Sequence, residues 1–119
     1  MARTIQTGPG FKTFNTTTLN STAQDVLQAP GHVYGWNIVN PNVGTIYLKF
    51  YDKLAASVNP AVDVPVKILQ ARANDFNFIE PHTVQESFNT AISVRCVTGF
   101  APTDTTAPAT LPNIQIKFY

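Results

Sequence analysis

Glu80 and His82 are the two residues whose types and spacing could bind a metal ion, since a Glu-x-His pair offers ligands that zinc accepts. A zinc site needs at least three protein ligands, and the sequence has no second pair of this kind. The other histidine, His32, opens a predicted strand after a Pro-Gly dipeptide. We therefore expect no metal site and no cofactor.

The carboxylates occur singly along the chain. They are Asp25, Asp52, Asp63, Asp75, Glu80, Glu86 and Asp104. Acid–base catalysis needs two titratable groups held together, so we interpret these carboxylates as solvated residues of turns and strand ends. The sequence also has no glycine-rich phosphate loop and no serine elbow. These observations predict a protein that is not an enzyme.

Cys96 is the single cysteine, so the chain forms no intrachain disulfide and its fold does not depend on an oxidising compartment. It alternates with Ile92 and Val94 along a predicted strand. This places the thiol on an apolar face, where it behaves as a small hydrophobic group. A buried Cys96 is therefore predicted.

Four aromatic residues could stack on sugar rings: Trp36, Tyr47, Tyr51 and Tyr119. The alternative is that these rings pack in the core of the domain, which is the more common use of aromatic side chains in β-structure. A carbohydrate-binding module is therefore kept as the alternative function from another class.

Composition narrows the possible partners. Of the 119 residues only 13% are charged, and the net charge is +1 with the basic residues scattered along the chain. Binding to nucleic acid is therefore not expected, because it requires a basic cluster.

The N-terminus lacks the apolar stretch of a signal peptide, and no segment approaches the roughly 20 apolar residues of a membrane span. We expect a soluble protein made in the cytoplasm, with no membrane partner.

Apolar residues recur with a period of two, which is typical of β-strands, and no segment of useful length has the helical period of 3.6. Glycine, proline and asparagine separate about seven short runs. The predicted runs are 24–28, 32–40, 45–52, 64–68, 76–80, 92–96 and 114–118. They predict an all-β fold: a single antiparallel β-sandwich, jelly-roll-like in topology.

The second and third runs are predicted to form a β-hairpin around the turn at 40–44, which contains Pro41 and Gly44. In the second run, the alternation places Tyr34, Trp36 and Ile38 on one face. The connections 52–63 and 98–110 are long, and such loops are often binding surfaces.

Residues 1–21 are rich in Thr, Asn and Gly and are interpreted as an extended N-terminal arm, with the β-sandwich domain covering 22–119. Phe11 and Phe14 are the only large apolar anchors of this arm. Together with Lys12, they are the predicted partner-binding residues.

Three stretches carry a resemblance to a known class of proteins. They are GHVYGWNIVNPN at 31–42, TIYLKFYDK at 45–53, and Thr98-Gly99 with DTTAP at 104–108. They resemble small β-sandwich accessory proteins of tailed bacteriophage virions, the class that includes capsid decoration (cement) proteins. The similarity covers residues 22–119 and transfers no catalytic residue.

The resemblance implies a structural protein that binds the outer surface of a bacteriophage head and stabilises it. The implied partner is the major capsid protein, the implied location is the virion, and the implied assembly is a homo-oligomer, with a trimer favoured. A tail or head-fibre component is the alternative within the same class. The low charge and the absence of a catalytic motif agree with either role.

Overall fold

The computed structural model describes residues 12–79 and 86–119, which form nine β-strands and one short 3₁₀ turn, Ala55–Ser57. The strands are β1 (Lys12–Thr16), β2 (Gln24–Leu27), β3 (Gly31–Asn40), β4 (Ile46–Tyr51), β5 (Lys67–Ala71), β6 (Asp75–Ile79), β7 (Glu86–Phe88), β8 (Ile92–Val97) and β9 (Asn113–Phe118).

The strands form two antiparallel sheets that pack together. Sheet A has the order β1-β9-β3-β6, and β7 also pairs with β3, at the start of that strand. Sheet B has the order β2-β8-β4-β5. The predicted all-β antiparallel sandwich is confirmed.

The core lies between the sheets and follows the period of two. On β4, the side chains of Ile46, Leu48 and Phe50 are buried in the core, and the ring of Phe50 lies 6.4 Å from that of Phe88. Trp36 is partly buried and packs against the same cluster. Burying a side chain such as Leu or Phe contributes about 1.5–3 kcal/mol, so this cluster is the main source of stability.

The predicted hairpin between β3 and β4 is wrong, because the two strands lie in different sheets. The connection at 41–45 is a corner between the sheets. The Asn40 side chain fixes it by donating to the carbonyls of Gly44 and Arg72 and by accepting from the Asn42 amide. Proline and glycine suit a corner as well as a hairpin turn, so the sequence does not distinguish the two.

A β-bulge changes the predicted faces of β3. Val33 pairs with Phe118 and Gly35 pairs with Lys117, so one extra residue of β3 lies between these pairs. The bulge reverses the alternation along the strand. As a result Val33 and Ile38 are both buried. The prediction that Tyr34 and Ile38 share a face is therefore wrong.

The predicted N-terminal arm is partly a strand of the sandwich. Residues 12–16 form β1, which pairs with β9 along its whole length. Leu19 is fully buried in the core, and the backbone carbonyl of Asn20 accepts a hydrogen bond from the Cys96 amide at 2.7 Å. An edge strand with one buried face can have a polar composition. Composition alone therefore does not distinguish residues 12–20 from an extended arm. The remainder of the predicted arm, 1–11, lies outside the described residues.

The strand predicted at 64–68 begins later than expected, at Lys67. Its core-facing residues are Leu69 and Ala71, whereas Val64 and Val66 precede the strand and are exposed. The apolar residues that alternate at 64–68 therefore lie on the face of the segment that points away from the core. The short strand β7 was not predicted.

Candidate functional site: a loop held by two buried cations

Among the described residues, those considered for catalysis or metal binding do not come together. Cys96 is fully buried in the core, as predicted, and burial raises its pKa to about 12. The predicted Glu80 and His82 pair lies outside the described residues. His32 shares a hydrogen bond of 2.9 Å with the hydroxyl of Ser87. Within 12–79 and 86–119, no group of three His, Cys, Asp or Glu residues could hold a metal ion.

The predicted partner-binding residues are divided by the fold. Phe11 lies outside the described residues, and Lys12 is exposed at the start of β1. Phe14 packs against the core of its own chain, which reduces the surface that it can offer to another protein.

The four aromatic residues of the possible sugar site do not form one surface. Trp36 packs against the core, and Tyr51 is buried on the outer face of sheet B. Tyr47 packs edge-on against Phe100, with ring centroids 5.7 Å apart. Tyr119 lies beside His32, with ring centroids 4.9 Å apart. The four rings therefore do not assemble the stacking platform that was kept as an alternative.

The outer face of sheet B carries two buried cations. Lys49 of β4 and Arg95 of β8 are directly opposite each other in the sheet, and both are fully buried. Alternation along each strand directs them away from the core. The loop at 98–106 covers them, so the outer face of this sheet is also packed.

Backbone carbonyls of the loop accept the hydrogen bonds of both cations. Lys49 Nζ donates to the carbonyl of Ala101. Arg95 donates through Nη1 to the carbonyl of Asp104 at 2.6 Å and through Nη2 to that of Pro102 at 2.9 Å. Hydrogen bonds from charged donors are stronger than neutral ones, so the two side chains hold the loop against the sheet.

Burial lowers the pKa of Lys49, and the neighbouring Arg95 charge lowers it further, while the Asp104 carboxylate acts in the opposite direction. Within the described part of the chain, neither cation has a carboxylate at ion-pair distance. The carbonyl dipoles of the loop therefore provide most of the compensation for the two positive charges.

The loop is also braced internally. The Asp104 carboxylate accepts from the amide of Thr106 at 2.8 Å, and the amide of Thr98 donates to the Thr106 carbonyl at 2.9 Å. Gly99 lies against the Asp104 carboxylate, so that a Cβ at this position would collide with it. Glycine is therefore required here for a close approach rather than for its backbone freedom.

Phe100 is the large apolar side chain that this loop presents to solvent. It remains 63% exposed although it touches the ring of Tyr47. A single exposed apolar side chain is common on protein surfaces, and Phe100 differs from the others in that its loop is firmly held, so that the ring presents a fixed apolar surface.

Sequence reasoning singled out the loop within 98–110 as a possible binding surface but missed the two cations that hold it, although a signal was present. Lys49 lies within IYLKFY and Arg95 within ISVRCV, two strands that are otherwise nearly free of charge. A charged residue in such a strand must either point to solvent or find a buried partner. The loop that supplies the partners is distant from Lys49 in sequence, which is why the pattern alone did not reveal it.

None of the described helical segments is long and apolar enough to cross a membrane. Comparison with known proteins finds no matching family model, no matching curated protein and no matching solved structure.

Proposed function

We propose that this chain is a structural virion protein that binds the outer surface of a bacteriophage head through its major capsid protein. The observation that carries the proposal is Phe100, exposed on a loop that Lys49 and Arg95 hold in place. Aromatic anchors of this kind dominate the binding energy of protein interfaces. A loop that is already ordered loses little entropy on binding.

Other features support a structural role. The strand order β1-β9-β3-β6 facing β2-β8-β4-β5 supports the jelly-roll interpretation of the sandwich. A net charge of +1 with few charged residues suits contacts with a protein shell better than contacts with nucleic acid. We propose a homotrimer as the assembly, because several copies acting together raise the affinity of a small contact. Phe11 and Lys12 remain proposed contact residues beside Phe100.

Co-sedimentation with capsids tests the proposal. Empty capsids assembled from a bacteriophage major capsid protein would be mixed with the purified protein. The wild-type chain should pellet with the capsids, and Phe100→Ala should weaken its binding at least tenfold, which corresponds to about 1.4 kcal/mol. Leu54→Ala, which removes an exposed apolar side chain from a different loop, is the matched control and should bind normally.

Two results would contradict the proposal. If the wild-type protein stays in the supernatant at all capsid concentrations, capsid binding is wrong. Binding to isolated tails or head fibres, measured in the same way, would instead support the alternative virion role. If the wild type pellets and both variants bind equally well, the capsid contact does not involve Phe100.

A further inference from the structure

Two peptide groups of the loop that covers sheet B share one orientation. The carbonyls of Pro102 and Asp104 both accept hydrogen bonds from the Arg95 guanidinium. The peptide bonds of these carbonyls are trans, so each C=O points opposite to the N–H of the next residue. The N–H groups of Thr103 and Thr105 therefore point away from Arg95, on the outer side of the loop. Both of these residues are exposed.

The amides of Thr103 and Thr105 have no hydrogen-bond acceptor among the residues that the structure describes. The two amides that alternate with them are used within the loop. The Asp104 amide donates to the Ala101 carbonyl at 3.0 Å, and the Thr106 amide donates to the Asp104 carboxylate at 2.8 Å. The loop thus offers two backbone donors to another molecule.

The charge beneath these donors is positive. Lys49 and Arg95 carry two positive charges, and the loop supplies one carboxylate, Asp104, which leaves a net charge of +1. A peptide group whose carbonyl faces a cation presents the positive end of its dipole on the other side. The two peptide groups therefore add to the positive potential at the outer surface of the loop. Oriented backbone amides of this kind attract anions.

Phe100 gives the same surface a second chemical part. Its ring is apolar and largely exposed, and Pro102, between the ring and the first free amide, is exposed as well. An inorganic anion would use only the amides, whereas an acidic side chain beside an apolar patch of a protein would use both parts. The surface therefore suits a carboxylate that belongs to a protein.

We propose that this loop binds the carboxylate of an aspartate or glutamate on the partner protein. The carboxylate accepts from the amides of Thr103 and Thr105, and Phe100 packs against an apolar surface beside it. Hydrogen bonds to a charged acceptor are about twice as strong as neutral ones, and opposite charges guide the two surfaces into register. The identity of the partner as the capsid protein rests on the proposed function, whereas the carboxylate site is a property of this chain alone.

Titration of the purified protein with sodium acetate tests the site, because acetate supplies the carboxylate alone. Amide proton–nitrogen correlation spectra report on each backbone N–H separately. At constant ionic strength, the amide protons of Thr103 and Thr105 should shift downfield and reach saturation, as expected for protons that enter a hydrogen bond. Sodium chloride at the same ionic strength should produce no such shift.

Two variants of equal net charge give the sharpest comparison. Asp104→Asn removes the negative charge of the loop and keeps an oxygen that can accept from the Thr106 amide. It should lower the dissociation constant of acetate about fivefold, the effect of one unit charge acting at short range through water. Glu86→Gln removes a carboxylate from β7, in the other sheet, and should leave the dissociation constant unchanged. Arg95→Met, which removes a cation and releases the loop, should abolish the saturable shift.

Three results would overturn the proposal: amides of Thr103 and Thr105 that do not respond to acetate, equal acetate affinities of Asp104→Asn and Glu86→Gln, or a response to sodium phosphate without one to acetate. The titration is independent of capsid co-sedimentation. A chain that binds acetate but not capsids would keep the carboxylate site and contradict the proposed function. Capsid binding without acetate binding would contradict the carboxylate site alone.

Discussion

Arg95 Nε donates a hydrogen bond of 2.8 Å to the hydroxyl of Tyr51, and both residues are buried on the face of sheet B that points away from the core. The guanidinium carbon lies 5.8 Å from the centre of the Tyr51 ring. With its two bonds to the loop, Arg95 thus connects β4, β8 and residues 102–104. Removing it takes a donor from one buried and two partly buried acceptors.

Replacing Arg95 by methionine should therefore destabilise the protein by about 3 kcal/mol, because the cost of leaving buried polar groups unpaired adds to the lost charged hydrogen bonds. The free energy of unfolding in urea measures this change. Arg95→Lys should recover only part of the loss, since an ammonium cannot reproduce the guanidinium geometry. Lys117→Met, on sheet A, is the control. Equal stability of Arg95→Met and the wild type would show that Arg95 does not hold the loop.

Leu19→Ala should cost about 2–5 kcal/mol, the usual cost of truncating a fully buried leucine. The matched substitution Leu54→Ala, in an exposed loop, should change the free energy of unfolding by less than about 0.5 kcal/mol. Urea denaturation of the two variants gives the comparison. If Leu19→Ala were as stable as Leu54→Ala, the segment after β1 would not belong to the core.

The stabilising effect of Asp52 should disappear in acid. Partial burial raises its pKa, but hydrogen bonds from the backbone amides of Asn89, Thr90 and Ala91 outweigh this effect, so the pKa lies below its ordinary value of 3.8. The folded state therefore binds the proton less readily than the unfolded state. The stabilisation is complete above the unfolded pKa and is lost as the pH falls through the folded pKa.

Accordingly, Asp52→Asn should be less stable than the wild type at neutral pH, and the difference should shrink below about pH 4. Thermal unfolding across this range measures it. A difference that stays constant down to about pH 2 would show that the charge of Asp52 is not responsible.

Cys96 should react slowly with a small thiol reagent while the protein is folded and rapidly after it unfolds. Burial both shields the sulfur and raises its pKa to about 12, so little thiolate forms near neutral pH. The time course of labelling, followed by mass spectrometry, gives the ratio of the two rates. Rapid labelling without denaturant would contradict the buried position.

The sequence was sufficient to predict most of the strands but not their partners. The period of two located β3, β4, β8 and β9 and predicted the burial of Cys96, because burial on one face is a local property of a strand. Pairing is not local. The chain leaves β3 through Pro41 and Gly44 and enters the opposite sheet. Contacts with residues far along the chain, such as those of Asn40 with Ala71 and Arg72, fix that course.

The candidate site was less accessible to sequence reasoning for a similar reason. Lys49 and Arg95 are recognisable as unusual, but the carbonyls that satisfy them belong to a proline- and threonine-rich loop with no motif of its own. Likewise Leu19 and β1 were hidden in a polar segment, since a single buried leucine gives no periodic signal.

The central position of β9 in sheet A has a consequence for biosynthesis. β1 is synthesised well before the strand it pairs with, residues 113–118. At the usual rate of about 5–20 residues per second, the ribosome needs roughly 5–20 s to add the intervening chain. During that time β1 and the adjoining edge of β3 lack the strand that will lie between them, and sheet A is completed only when β9 has been synthesised.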